Sequence, residues 1–271
     1  MGQRVILRSF LASFLLASAF GDSPEAKAKP IDPALLKKFE ARIFKDAAGH
    51  ALKYRLCRPS GYDSRTRYPL VLFLHGAAGS GDDNTRQFNG GNEVPPLALS
   101  CQETQTNYPC FVLVPQCPRT DSWASYGSRP AETVRLTLAA IDSLKGEFSI
   151  DPQRLYLVGV SMGGRGVWDV AMRFPRTFAA AVPICAAGDP AGVSAITGLP
   201  IWCFHGASDP LVNVNYARAM ISALRKAGGH PRYTEYPGVG HDVYKNAFKE
   251  PDLLPWLFAQ KRSESRLGLL P

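Results

Sequence analysis

Short segments of nearly continuous hydrophobicity recur along the chain, with longer and more polar segments between them. Leu70–Leu74 and Leu155–Val158 are hydrophobic at every position, which is what strands buried on both faces of a parallel sheet need. Two less regular segments towards the carboxyl end complete the series. The predicted central strands are Leu70–Leu74, Phe111–Val114, Leu155–Val158, Ala179–Ile184, Pro200–Phe204 and Arg232–Tyr236.

Between these strands lie segments whose apolar residues follow helical spacing, namely Glu132–Phe148, Gly163–Phe174, Tyr216–Ala227 and Leu253–Gln260. Upstream, Ala41–Lys45 and Leu52–Cys57 flank a short polar turn and predict an antiparallel hairpin at a sheet edge. The alternation of strands and helices predicts an α/β fold, with a mostly parallel sheet and helices on both faces. Ligands bind at the carboxyl ends of the strands in such sheets, so the loops that leave those ends are expected to carry the chemistry.

The first nineteen residues have the features of a secretory signal peptide. Arg4 and Arg8 precede the apolar run Phe10–Phe20, which is too short to span a bilayer, and the small residues Ala17–Ala19 suit signal peptidase. The alternative is an amphipathic helix docked on the fold. We expect a signal peptide over residues 1–19, a linker over 20–40, the α/β domain over 41–262 and a tail over 263–271. A secreted or periplasmic protein follows from this division.

Composition and charge narrow the function further. The chain has 271 residues, of which 45% are hydrophobic and 10% aromatic, and this excludes a largely disordered protein. Removing Arg4 and Arg8 with the signal lowers the formal net charge from +8 to +6, and the basic residues are scattered. We therefore expect no nucleic-acid partner and no membrane span in the mature chain.

The six cysteines do not show the spacing of a metal site, so we expect no metal or other cofactor. Cys185 and Cys203 lie in predicted central strands, which favours buried free thiols. Cys101, Cys110 and Cys117 lie in or beside loops and are the better candidates for disulfides in an exported protein. The sequence leaves the pairing open.

A candidate nucleophile follows the strand Leu155–Val158 directly. Gly159, Ser161 and Gly163 form a G-x-S-x-G pattern between this strand and a predicted helix. A nucleophile on such a sharp turn takes a strained backbone conformation, and only small residues fit two positions before and after it. A serine hydroxyl also needs a base, and His241 lies in a glycine-rich loop after the last predicted strand.

The base needs a carboxylate that holds its orientation, and Asp209 lies just beyond the strand Pro200–Phe204. Asp189 and Asp242 are the competing acids, and Asp209 has an alternative role as a helix cap or turn residue. Small residues follow the strand Leu70–Leu74, where they allow backbone amides to approach a substrate carbonyl. We assign the Ala77 and Met162 amides to an oxyanion hole.

The chain order of Ser161, Asp209 and His241 is that of the α/β-hydrolase superfamily, which the sequence resembles from about Arg42 to Lys261. Within it, the segments Tyr68–Gly76, Gly81–Asn84, Pro115–Pro118 and Gly159–Gly164 are similar to secreted phospholipase/carboxylesterase-type esterases. That group includes feruloyl-esterase-like, polyhydroxybutyrate-depolymerase-like and predicted-peptidase proteins. The resemblance implies an α/β-hydrolase fold, the serine triad and its oxyanion hole, and a pocket wall at Trp123.

Only 14 residues separate Cys185 from Pro200, too few for a large cap domain. We therefore expect an open cleft and a serine carboxylesterase that acts on bulky or polymer-attached acyl esters of feruloyl or acetyl type. Gln116, Trp123 and Tyr126 are the pocket candidates, and the aromatic side chains of the last two are suited to stacking on an aromatic acyl group or a sugar. Trp123 has packing of its loop as an equal alternative. The alternative functions are a serine peptidase or acylaminoacyl hydrolase with the same triad, and an inert polysaccharide-binding module.

Overall fold

The structure is a computed structural model that describes residues 31–125, 127 and 129–262. Its strands form one sheet in the order β1-β2-β4-β3-β5-β6-β7-β8, in which β1–β2 and β2–β4 pair antiparallel and all other neighbours are parallel. The strands are β1 Glu40–Lys45, β2 Ala51–Cys57, β3 Tyr68–Leu74, β4 Phe111–Pro115, β5 Ile150–Val160, β6 Ala180–Ile184, β7 Trp202–Gly206 and β8 Arg232–Tyr236.

Helices cover both faces of this sheet. The α-helices are α1 Pro33–Lys38, α2 Val94–Ser100, α3 Gln102–Asn107, α4 Glu132–Glu147, α5 Met162–Arg173, α6 Asn215–Lys226, α7 Tyr244–Ala247 and α8 Leu253–Ala259. The 3₁₀ helices that the structure describes are Ala77–Gly79, Arg86–Phe88 and Pro190–Ile196. Among the described residues, no helix combines the length and apolar character needed to cross a membrane.

Alternation along the central strands divides the hydrophobic core into two layers. In β3, Leu70 and Leu72 join the cluster that contains residues of α4, α5 and α6, whereas Val71 and Phe73 join the cluster with residues of α1 and α8. These four side chains are at most 2% exposed. Because successive side chains of a strand point to opposite faces, a continuous hydrophobic run is required wherever both faces are covered.

The predicted α/β architecture is confirmed, including the edge hairpin β1–β2 and the helices α4, α5, α6 and α8. Within the predicted linker over 20–40, Pro33–Lys38 is helical and Glu40 already belongs to β1. Leu35 and Phe39 anchor this segment, as both are 1% exposed. The predicted signal peptide, most of the linker and the predicted tail over 263–271 lie outside the described residues.

The connection after β6 carries no separate cap domain, as its length predicts. It forms the 3₁₀ helix Pro190–Ile196, which packs against α5 and α6 in the helical layer. Gly188 lies close to Met220 of α6, and Gly192 lies close to Met172 of α5. The short connection is therefore accommodated beside the sheet, as part of the α/β domain itself.

Candidate active site

Ser161 occupies the sharp turn between β5 and α5, at the carboxyl edge of the sheet. Its backbone has φ 55° and ψ −115°, a strained conformation for a residue with a side chain. The turn leaves no space for side chains at the flanking glycines: a Cβ at Gly163 would collide with the carbonyl oxygen of Leu74, and one at Gly159 would lie 2.5 Å from that of Gly163. The predicted reason for the G-x-S-x-G pattern is thus seen in the packing.

The structure brings the three predicted catalytic side chains into one hydrogen-bonded chain. Ser161 Oγ lies 2.9 Å from Nε2 of His241, and Nδ1 of the same ring lies 2.8 Å from Oδ2 of Asp209. Since a carboxylate only accepts, the network assigns the ring proton to Nδ1 and leaves Nε2 free to accept the serine proton. This is the arrangement in which an imidazole can act as a base towards a hydroxyl.

Asp209 is held by its own loop after β7. Its Oδ1 accepts hydrogen bonds from the amides of Leu211 at 2.8 Å and Val212 at 2.9 Å, and its side chain is 0% exposed. Buried His205 donates from Nε2 to the Val212 carbonyl oxygen at 2.9 Å and lies 3.4 Å from Oδ2 of Asp209. Burial lowers the pKa of His205, so this ring is neutral while it supports the loop.

The two competing acids have other partners. Asp189 caps the 3₁₀ helix Pro190–Ile196 by accepting from the Ala191 amide at 3.0 Å. Asp242 forms an exposed ion pair with Lys245 at 2.9 Å. Of the three candidate carboxylates, Asp209 is the one in hydrogen-bond contact with the His241 ring.

The two amides predicted to bind an oxyanion both begin a helix. Met162 is the first residue of α5, and Ala77 is the exposed first residue of the 3₁₀ helix that follows β3. First-turn amides have no acceptor within their own helix, so they are available to an anion. The loop lies against the nucleophile, because a Cβ on Gly76 would be 3.4 Å from Cβ of Ser161.

His75 fixes the start of this loop. Its Nδ1–H donates to the Gly76 carbonyl oxygen at 2.7 Å, and its Nε2 accepts from the Cys117 amide at 3.0 Å. The ring is 0% exposed, and burial lowers its pKa to about 4. A neutral imidazole therefore connects the loop after β3 to the loop after β4.

Two of the pocket assignments are wrong. Trp123 is 0% exposed, donates from Nε1 to the His75 carbonyl oxygen at 2.9 Å and packs edge-on against the His75 ring, so it offers no surface to a substrate. Gln116 is 3% exposed and joins the loop after β3 by accepting from the Asn84 amide and donating to Asp83. Both side chains support the loop from behind. Tyr126, the third pocket candidate, lies outside the described residues.

All six cysteines are free thiols, so the disulfide candidates Cys101, Cys110 and Cys117 form no bridge in the structure. Cys110 and Cys117 are 0% exposed, and burial raises the pKa of both thiols. Cys101 lies at the start of α3, where its Sγ is 3.3 Å from the carbonyl oxygen of Ala98. The expectation of buried free thiols at Cys185 and Cys203 is confirmed.

Within the described residues, two clusters have donor atoms close enough to share a metal ion. One adds the Cys185 thiol to Asp209 and His241, and the other consists of Asp46, His50 and Glu132. The latter cluster already has a cation, because the Arg135 guanidinium lies 2.5 Å from both carboxylates. In the former cluster, Nδ1 of His241 and Oδ2 of Asp209 are already bonded to each other.

One contact beside the candidate site was not expected from the sequence. Asn92 lies between the 3₁₀ helix Arg86–Phe88 and α2. Its side chain accepts a hydrogen bond from the Gly76 amide at 2.6 Å. The two residues are 16 positions apart, and neither belongs to a periodic pattern that relates them. The amino-acid sequence alone therefore contains no pattern from which this contact could be predicted.

Known proteins that resemble this chain are hydrolases and esterases. The Dienelactone hydrolase family profile matches residues 119–251. A protein of Arabidopsis thaliana described as "Probable carboxylesterase SOBER1-like" is 26% identical over 226 residues, covering 75% of this chain and 82% of that protein. The "Bifunctional acetylxylan esterase/xylanase XynS20E" of Neocallimastix patriciarum is 30% identical over 162 residues, covering 58% of this chain and 22% of that protein.

Among solved structures, one described as a thermostable esterase superposes with a TM-score of 0.79 at 37% sequence identity. The match covers 84% of this chain, and the chain spans 64% of that structure's length.

Proposed function

Because the chain belongs to the α/β-hydrolase superfamily and is an ester hydrolase, we propose that Ser161, His241 and Asp209 are its catalytic triad. The observation that supports this assignment is the unbroken hydrogen-bonded chain from the serine hydroxyl through the imidazole to the buried carboxylate. It joins three loops that leave the carboxyl ends of β5, β7 and β8.

In the first half of the reaction, Ser161 Oγ attacks the ester carbonyl carbon while its proton passes to Nε2 of His241. The carbonyl oxygen becomes an oxyanion that accepts hydrogen bonds from the Ala77 and Met162 amides. The C–O bond to the alcohol then breaks, and the imidazolium returns the proton to the leaving oxygen. Asp209 stabilises the imidazolium throughout.

In the second half, water attacks the acyl-enzyme carbonyl and gives one proton to Nε2 of His241. The second tetrahedral intermediate uses the same two amides and collapses by breaking the bond to Ser161 Oγ, which recovers the proton. The products are the free acid and the restored hydroxyl, so atoms and charge balance without a cofactor.

For the substrate, we propose acyl esters that are bulky or attached to a polysaccharide, of feruloyl or acetyl type. The short connection after β6 packs beside α5 and α6, which supports an open approach to Ser161. Leu211 is 71% exposed while its amide binds Asp209, so an apolar side chain stands at the rim next to the triad. The relative described as an acetylxylan esterase/xylanase supports a polysaccharide-linked ester.

We also propose that residues 1–19 direct export and are removed, which places the enzyme in the periplasm or outside the cell. N-terminal sequencing of the exported protein checks this, and a chain that still begins at Met1 contradicts it.

The triad is tested with Ser161→Ala, using hydrolysis of p-nitrophenyl acetate and butyrate. We expect a loss of several orders of magnitude in kcat, because removing the nucleophile leaves only the contribution of binding and the oxyanion hole. The matched control is Ser208→Ala, an exposed serine one position before Asp209, which should keep wild-type kcat. Undiminished hydrolysis by Ser161→Ala refutes the assignment.

The substrate class is tested with a panel of methyl ferulate, acetylated xylan, polyhydroxybutyrate and the p-nitroanilide counterpart of the best ester. Turnover of methyl ferulate or acetylated xylan above that of the other two supports the proposal. Preference for the anilide would indicate a peptidase or acylaminoacyl hydrolase with the same triad.

A further inference from the structure

Asn92 lies behind the loop that carries the proposed oxyanion donor, and its side chain is fixed in one orientation. Its Oδ1 accepts from the Gly76 amide at 2.6 Å, and its Nδ2 donates to the Asn89 carbonyl oxygen at 2.5 Å. Because one end of the carboxamide faces a donor and the other an acceptor, a flipped amide would lose both bonds. The residue is 2% exposed, so water does not compete for these contacts.

The bond to Gly76 determines which amide of the loop is left for the substrate. Gly76 lies next to Ser161, and without Asn92 its N–H would be an unsatisfied donor at the edge of the site. With this amide occupied, the next one along the chain, that of Ala77, is the loop amide available to an oxyanion. The bond holds the peptide plane between His75 and Gly76. The next plane, from which the Ala77 N–H projects, is held at the Gly76 carbonyl oxygen by the His75 ring.

The segment around Asn92 is itself anchored to the element that follows the base. Gly91 has φ +93°, and a Cβ there would collide with the hydroxyl group of Tyr244 in α7, three residues after His241. The amide of Gly91 in turn donates to Glu93 at 2.9 Å. Asn92 is thus held by packing against α7 on one side and bonds the loop after β3 on the other.

We infer that Asn92 is a positioning residue of the oxyanion hole: it occupies the Gly76 amide and fixes Gly76, so that the next amide, that of Ala77, is presented to the carbonyl oxygen of the substrate. This rests on the proposed function. Stabilisation by such amides exists only when the oxyanion develops, so it acts on the transition state rather than on substrate binding.

The test compares Asn92→Leu, which keeps the side-chain size but neither bond, with Gln87→Met as a matched control. Gln87 is another 0% exposed amide of the same region, but it donates to Asn84 at 2.7 Å and does not contact Gly76. Active sites are counted by burst labelling with a fluorophosphonate, and kcat and KM for p-nitrophenyl butyrate are expressed per labelled site. A trifluoromethyl ketone, whose adduct with serine carries an oxyanion, reports on the hole directly.

We expect Asn92→Leu to lower kcat per labelled site by about 10- to 100-fold, since a displacement of about 1 Å can cost 100-fold, with KM changed by less than about 2-fold. The inhibition constant of the ketone should rise by the same factor as kcat falls. Gln87→Met should change only the number of labelled sites and the melting temperature. A second variant, Asn92→Ala, gives the same readouts if the leucine variant folds poorly.

The results separate a positioning role of Asn92 from a purely structural one. Unchanged kcat per labelled site and unchanged ketone affinity in Asn92→Leu overturn the positioning role, even if fewer molecules fold. An equal loss of kcat in Gln87→Met overturns it as well. Failure of the fluorophosphonate to label wild-type enzyme at Ser161 instead refutes the proposed function, which separates the two failures.

Discussion

Replacing His75 by Asn should remove a large part of the acid sensitivity of folding. His75 is 0% exposed, accepts the Cys117 amide at Nε2 and donates to Gly76 at Nδ1, so a protonated ring would lose an acceptor and carry a buried charge. Burial lowers its pKa from 6.5 to about 4. Between those values the unfolded chain binds a proton that the folded chain does not.

This difference in proton binding sets the direction and the size of the change in stability with pH. Stability is complete above the unfolded pKa and is lost as the pH falls through the interval towards the folded pKa. At about 1.36 kcal/mol per pKa unit, the shift of His75 corresponds to a loss of about 3 kcal/mol in the free energy of unfolding between pH 6.5 and pH 4. Because the ring is fully buried, solvent screening does not reduce this figure.

The measurement is a series of urea unfolding curves for wild-type and His75→Asn protein from pH 7 to pH 4. The variant loses native contacts and starts less stable at pH 7, but its deficit should shrink by about 3 kcal/mol towards pH 4. His205, whose pKa burial also lowers, leaves the variant some residual slope. Exposed His230→Asn is the control and should follow wild type. If the free energies of unfolding of wild type and His75→Asn fall in parallel between pH 7 and pH 4, the reasoning is wrong.

Trp123→Phe should lower stability by about 0.5–1.5 kcal/mol through loss of the Nε1 bond to His75, and Trp123→Ala by about 3–5 kcal/mol, as measured by urea unfolding. KM for p-nitrophenyl butyrate should stay at its wild-type value in Trp123→Phe; a large rise would restore the pocket-wall interpretation. Gly163→Val should abolish soluble folded protein, judged by circular dichroism, because its Cβ would collide with the Leu74 carbonyl oxygen. A native spectrum with full activity would contradict the close packing of the turn.

The sequence was sufficient to predict the parallel sheet and the convergence of Ser161, Asp209 and His241 at one edge of it. Continuous apolar runs are specific to strands covered on both faces, and parallel strands bring their carboxyl ends to one edge. Each of the three residues follows such a strand, so their meeting is a consequence of topology. Their distances and hydrogen-bond partners still required the structure.

Other features depend on tertiary packing that a single chain does not encode locally. The helices α1, α2 and α3 are only 6, 7 and 6 residues long and are too short for a clear apolar period. Trp123 and Gln116 have the residue types of a binding pocket, but their side chains point into the protein behind the loop. The contact between Asn92 and Gly76 joins two loops and has no counterpart in the spacing of residues.

The strand β8, which precedes the loop of His241, is the part of the sheet expected to open first on heating. Arg232–Tyr236 is half exposed along most of its length, and within the described part of the chain it pairs with β7 alone. Ser161 instead follows β5, which has a partner on each side. Boundary strands open more readily than interior ones, so mild heating should detach the imidazole while the nucleophile stays in place. Turnover would then vanish before the bulk of the tertiary structure melts, and it would return on cooling.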